Sequence, residues 1–193
     1  WEGLRASSAG KEDGFKSVNG PHNTTRDGLQ TVTAFGVLST VNSGYPVLLT
    51  EMTILTALRT AATSALVGKY LAPKNASCMA LIGNGAQSEF QALAFKSLLG
   101  VSKLRLFDID SEATARCARN LADWGFEITQ CSTSQDAVEG ADIVTTATAD
   151  KQNATILTDT MMGAGQHITA GGGECPGKTE LHKDILMPTD SFV

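Results

Sequence analysis

The sequence predicts an α/β fold, a parallel sheet with helices on both faces, and three observations predict it. From Cys78 onward, short apolar runs alternate with helical patterns, the signature of strands joined by crossover helices. The apolar run at 79–82 passes directly into Gly83-Asn84-Gly85-Ala86-Gln87-Ser88, and a helical pattern follows at once. A second apolar run at 104–107 ends on an acid, Asp108.

In chain order, residues 1–30 are polar, with Gly, Ser, Asn and Asp throughout, and predict an irregular segment with one strand at most. Two strands are predicted at 31–38 and 45–49. The turn residues 41–44 between them make an antiparallel hairpin. Thr50 is the expected N-cap of an Ala/Leu-rich helix running to about Leu71, which Pro73 stops. The parallel sheet is then expected from strands at 79–82, 104–107, 126–130, 143–146 and 167–170. Helices are expected at 88–99, 112–124 and, briefly, near 135–139.

Bulk properties narrow the function. The chain has 193 residues, 42% hydrophobic, enough for a normal core. Its net charge of −5, without a dense Lys/Arg run, argues against nucleic-acid and anionic-membrane partners. No apolar run reaches the roughly 18 residues of a membrane span, and the start lacks a signal-peptide core and an initiator Met. Cys78, Cys117, Cys131 and Cys175 form no C-x-x-C pair and no zinc spacing, so reduced, mostly buried thiols in a cytoplasmic protein are expected.

The glycine loop has a physical rationale in this context. Gly83 permits the tight turn off the strand, and Gly85 lets the backbone approach a pyrophosphate. The helix N-terminus offers unpaired N–H groups to that anion. Ser88 stands where a third glycine is usual and is still small. Asp108, 25 residues after Gly83, can accept hydrogen bonds from the adenosine ribose and would repel a 2′-phosphate. Together these features predict a Rossmann-type dinucleotide-binding unit with NAD favoured over NADP.

Several further runs carry a family resemblance. They are Gly14-Phe15-Lys16-Ser17-Val18-Asn19-Gly20, Gly44-Tyr45-Pro46, the helix segment from Thr56 through Arg59 to Ser64, residues 81–89, and Cys175-Pro176-Gly177-Lys178-Thr179-Glu180-Leu181. From about residue 14 to 193 the chain resembles the ornithine cyclodeaminase/mu-crystallin family, most strongly its bacterial cyclodeaminases. The resemblance implies a homodimer with a split α+β dimerisation/substrate domain, here residues 1–64, and an NAD-binding domain, here 65–193. It also implies a lyase that converts L-ornithine to L-proline and ammonia, with NAD recycled in each turnover.

Residue by residue, the resemblance places Lys16 and Arg59 on the substrate carboxylate, with Arg59 also serving the cofactor. A guanidinium fork suits bidentate carboxylate binding. Arg5 falls near another carboxylate-binding arginine. Thr31, Gly83, Gly85, Ala86, Gln87, Asp108, Thr148, Gly172, Gly173 and Lys178 fall on cofactor positions. Glu174 takes the place of an aspartate assigned proton-transfer or water-activation work. Plainer readings stand beside these: surface charges for Lys16 and Arg5, a snorkelling side chain for Arg59, strand residues for Thr31 and Thr148, and a surface pair for Lys178 with Glu180. His22, His167 and His182 are expected to be bystanders.

Three departures from the family pattern bear on function. Glu174 is a methylene longer than the usual aspartate, a displacement of the order that can cost about 10²-fold in rate. Residues 1–13 look like a contracted version of a strand that usually carries a second substrate-facing Glu. The end at Asp190-Ser191-Phe192-Val193 falls mid-fold by family standards, so a fragment is expected. Two alternatives therefore accompany the lyase: an NAD-dependent amino-acid dehydrogenase or ketimine reductase, and a dinucleotide-binding protein without catalysis.

Overall fold

The structure, a computed structural model, describes the backbone of residues 2–7 and, in full, residues 12–19, 32–148, 155–172 and 179–186. The chain divides into two compact units, Trp1–Arg59 and Thr60–Val193.

The first unit is built on an antiparallel sheet in the order β1-β2-β3-β4. Its strands are β1 (Glu2–Ser7), β2 (Glu12–Asn19), β3 (Thr33–Thr40) and β4 (Pro46–Glu51). The expectation of one strand at most in the first thirty residues is thus corrected: the described residues there hold two. β1 and β2 hold few β-formers, but their ladder runs unbroken from Glu2↔Val18 to Ser7↔Asp13, and β3 pairs the other edge of β2. Backbone pairing across the sheet overrides the weak local propensity of these residues. The expected hairpin is present as β3 and β4. Its turn closes through Gly44 N–H to Thr40 O at 2.9 Å and Thr40 N–H to Tyr45 O at 3.0 Å.

Helix α1 (Thr53–Leu71) follows, and the division between the units falls within it. Thr50 is not its N-cap: it lies in β4, paired with Gly36, so the strand extends past it. Glu51 Oε1 accepts the Thr53 N–H instead. Thr53 Oγ1 in turn accepts Ala34 N–H at 2.9 Å, tying the helix start to β3.

The second unit contains β5 (Cys78–Ile82), α2 (Ser88–Leu99), β6 (Lys103–Phe107), α3 (Ser111–Leu121), β7 (Glu127–Gln130), α4 (Ser134–Val138), β8 (Ile143–Thr146) and β9 (His167–Ala170). The sheet order is β7-β6-β5-β8-β9, and every pair is parallel. The pleat sends alternate residues of β5 to opposite cores. Met79 and Leu81 pack with Ala92, Phe95, Cys117 and Leu121 of α2 and α3. Ala80 and Ile82 pack with Ala137 and Val138 of α4. Helices therefore cover both faces, as expected, and β8 is buried along its whole length. The predicted helix at 112–124 is α3 plus one 3₁₀ turn, Ala122–Trp124, which Gly125 ends in the left-handed region at φ 71°. Among the described residues no helix is long and apolar enough to cross a membrane.

Candidate functional site

In an open parallel sheet, ligands bind beyond the carboxyl ends of the strands, where the strand order reverses. Here that point lies at the end of β5, flanked by β6 on one side and β8 on the other. The chain leaves β5 at Gly83 with φ 91°, and a Cβ there would stand 2.7 Å from Ala147 O. Only glycine meets both demands. Gly83 N–H donates to Phe107 O at 2.9 Å, so the turn is pinned to the neighbouring strand end. Gly85 differs: nothing lies within 4 Å of where its Cβ would be. The backbone is open there.

The start of α2 also stands apart from the other helices of this unit. Asp110 caps α3 through Oδ1, which accepts Glu112 N–H at 3.0 Å, and Thr133 caps α4 through Oγ1 to Asp136 N–H at 3.0 Å. Gln87, at the same position of α2, makes no side-chain cap bond. Ser88 N–H donates to Gly85 O at 3.2 Å, and the cap side chain takes none of the first-turn N–H groups, an arrangement that suits an anion. Ser88 is fully buried, with Oγ donating to Gly85 O at 2.7 Å and 3.6 Å from Cys117 Sγ. A larger side chain at that place would push α2 off α3.

Two carboxylates flank the loop. Asp108 ends β6, as expected, and Oδ2 accepts Asn84 N–H at 2.6 Å while Oδ1 accepts Asp110 N–H at 2.9 Å. It holds the loop and retains lone pairs for a further donor. On the other side stands Glu180, only 3% exposed. Its Oε2 accepts Thr146 Oγ1–H at 2.6 Å and Gly172 N–H at 2.7 Å. Its Oε1 accepts Thr148 N–H at 2.9 Å and the Thr148 hydroxyl. The reading of Glu180 as part of a surface pair is corrected: a carboxylate with four donors around it is satisfied inside the protein. No periodicity marks Glu180, because it lies outside every helix and strand. The one signal in the sequence was its place in the motif after Pro176.

Other expected site residues fall as follows. Ala86 is exposed at the loop tip, and Gln87 is half-buried, its Oε1 lacking a partner among the described residues. Thr148 is half-buried just past β8, and Gly172 is buried just past β9. A Cβ at Gly172 would fall 2.1 Å from Glu180 Oε1, so close approach of that carboxylate demands glycine there. Thr31, Gly173, Glu174 and Lys178 lie outside the described residues. Arg5 lies in β1, opposite Phe15 in register.

Within the first unit, Lys16 and Arg59 come together. Lys16 is half-buried on β2 and donates from Nζ to Thr56 Oγ1 of α1 at 3.3 Å. Burial, and then the charge of Arg59, hold its ammonium below the usual lysine pKa. Two like charges close together favour an anion between them. Burial raises the thiols of Cys117, Cys78 and Cys131, which keeps them protonated and unreactive. His167 is buried and held below the ordinary imidazole pKa by desolvation, and His182 pairs with Asp184 at 3.2 Å.

Comparison with known proteins agrees with this architecture. The model of the ornithine cyclodeaminase/mu-crystallin family matches residues 4–193. Ornithine cyclodeaminase of Brucella suis biovar 1 (strain 1330) is 70% identical over 190 residues, covering 98% of this chain and 53% of the relative. The chain therefore spans about half the length of the curated relatives it matches. A lysine cyclodeaminase structure, described for recognition of L-lysine, L-ornithine and L-2,4-diaminobutyric acid, superimposes with TM-score 0.89 at 30% identity. It covers 96% of this chain and 54% of that one. An archaeal alanine dehydrogenase dimer with bound NAD gives TM-score 0.83 at 26% identity, over 96% of this chain and 60% of that one. On its sequence and its fold alike, the chain belongs to the ornithine cyclodeaminase/mu-crystallin family.

Proposed function

We propose that the second unit binds NAD and that the protein is an ornithine cyclodeaminase-type lyase, forming L-proline and ammonia from L-ornithine. The observation that carries the cofactor is the uncapped start of α2 behind the open Gly85, with Asp108 one strand away. That arrangement offers N–H groups to a pyrophosphate and a carboxylate to a ribose diol, and it opposes a 2′-phosphate. Gln87 Oε1, without a partner among the described residues, is an acceptor that a ribose or amide donor would satisfy. The 70% identical relative named an ornithine cyclodeaminase supports this substrate class.

Bound NAD supplies a hydride acceptor and donor for the substrate α-carbon. The chain's own work is binding, orientation and proton management. Lys16 and Arg59 take the substrate carboxylate, the ammonium as a point charge and the guanidinium as a two-pronged fork. Arg5 serves the same carboxylate. Glu174 moves the proton, and Thr31, Thr148, Gly173 and Lys178 line the cofactor. Residues 1–64 act as the substrate and dimerisation part, and 65–193 as the cofactor domain.

A homodimer is supported by the apolar side chains that the first unit leaves open: Tyr45, Val47, Leu48 and Leu49 on and before β4, and Ile54 and Leu58 on α1. Incubation with ornithine and NAD tests the function. Proline and ammonia without net NADH are expected. Accumulating NADH would favour an amino-acid dehydrogenase, and binding without turnover a non-catalytic protein. Glu174→Gln keeps length and removes the basic oxygen, so activity equal to the parent would remove Glu174 from proton transfer.

A further inference from the structure

Glu180 has no place in the chemistry above, yet its carboxylate is buried among four donors. Burying a charge is costly unless hydrogen bonds replace its water. Four donors do so here, from Thr146 on β8, from Thr148 just past β8 (its N–H and its hydroxyl) and from Gly172 just past β9. The residue is itself anchored: its carbonyl accepts Ile156 N–H at 2.9 Å and Leu157 N–H at 3.2 Å, and Leu181 bridges to Leu157. The carboxylate thus ties the segments leaving two strands to one fixed point.

The link continues to the glycine loop. A Cβ on Gly83 would lie 3.0 Å from Thr148 Cγ2, so the side chain that Glu180 holds abuts the first turn of the loop. Asp108 grips the same loop from the β6 side through Asn84 N–H. The two carboxylates brace it from opposite sides.

Topology gives the two braces different duties. Asp108 marks the adenosine-ribose end, beside β6, and the α2 N-terminus takes the pyrophosphate. The remainder of a dinucleotide then extends past the ends of β8 and β9, where Thr148 and Gly172 stand. We propose that Glu180 is a positioning residue for the nicotinamide half of the cofactor, acting through Thr148 and Gly172. This rests on the reading of the second unit as an NAD site.

Glu180→Gln is the direct test, because it keeps shape but turns an NH₂ toward groups that are themselves donors. NADH and ADP-ribose are titrated against the full-length protein by calorimetry. ADP-ribose shares the adenosine and pyrophosphate and lacks the nicotinamide. The variant should bind NADH about tenfold more weakly, the scale of losing one charge-assisted hydrogen bond. Its ADP-ribose affinity should stay unchanged. Thr146→Val, a near-isosteric change within β8, removes one donor to Glu180 and should shift NADH alone, by about two- to threefold. It carries the test if Glu180→Gln does not fold. Equal weakening of both ligands would show a general structural role and overturn the proposal, as would unchanged NADH affinity. Failure of the parent to bind either ligand would instead sink the NAD reading, and the proposal with it.

Discussion

The two sheets make opposite use of similar residues. β8, Ile143-Val144-Thr145-Thr146, is buried at every position, with helices over both faces of its sheet. β4 carries Val47-Leu48-Leu49, just as apolar, yet these side chains are 56%, 50% and 72% exposed. A parallel sheet built by crossovers brings its own cover, because each connection lays a helix on a face. An antiparallel sheet built by hairpins brings none. The parallel sheet of the second unit is covered on both faces, whereas β4 of the first presents its apolar run openly.

The largest expected effect tests that difference directly. Leu81→Ala, at a fully buried site on β5, should cost about 2–5 kcal/mol in urea unfolding. Leu49→Ser should change unfolding by no more than about 0.5 kcal/mol under dilute conditions. It should instead weaken self-association by about tenfold in sedimentation equilibrium. Equal losses of stability from the two changes would break the comparison.

Next come two glycines of one loop that differ in why they are glycine. Gly83→Ala meets both a positive φ and the Ala147 carbonyl, so it should lose about 1–3 kcal/mol of stability together with NADH binding. Gly85→Ala meets nothing in the protein. Its melting temperature should stay at the parent's while NADH affinity falls, because the methyl group enters the space left for pyrophosphate. Retained NADH affinity in Gly85→Ala would place the phosphates elsewhere.

Asp108→Ser should reduce the preference for NADH over NADPH by about tenfold in paired titrations, the scale of removing one charge-assisted contact and one repulsion. Because Asp108 also holds Asn84 N–H, NADH affinity itself should fall as well. An unchanged preference would remove the ribose assignment.

The smallest effect is a pH dependence in the first unit. Burial and Arg59 lower the Lys16 pKa, so its positive charge is lost at a lower pH than that of an ordinary lysine. A bound carboxylate favours the charged form, so amino-acid affinity should decline as pH rises through that lowered value and level off above it. Lys16→Met should bind more weakly at neutral pH and show no such decline. A decline that persists in Lys16→Met would assign the titration to another group.

Legibility followed the range of the interactions. α2 was read at its true bounds because its start and stop are written locally: a glycine loop before it, and Gly100 in the left-handed region at φ 79° after it. The crossover units of the second sheet were read for the same reason, each strand and helix carrying its own period. β1 and much of β2 were missed because a polar strand carries no period of its own. Its ladder bonds come from residues far away in the chain. Thr50 was misassigned because a good capping residue does not set where a strand lets go, and the pairing with Gly36 did.

The amino-acid order by itself determined the parallel architecture, the glycine loop and its acid at the next strand end, since each rests on neighbours within a few residues. It also determined the family, through runs of matching side chains. Only the tertiary structure decided that Glu180 is buried, that Gly172 is glycine because a carboxylate presses on it, and that Lys16 lies close enough to Arg59 to feel its charge. It alone decided, too, that the apolar run of β4 lies open while that of β8 is enclosed. Burial and hydrogen-bond partnership are properties of what surrounds a side chain, and those surroundings come from segments that only folding brings together.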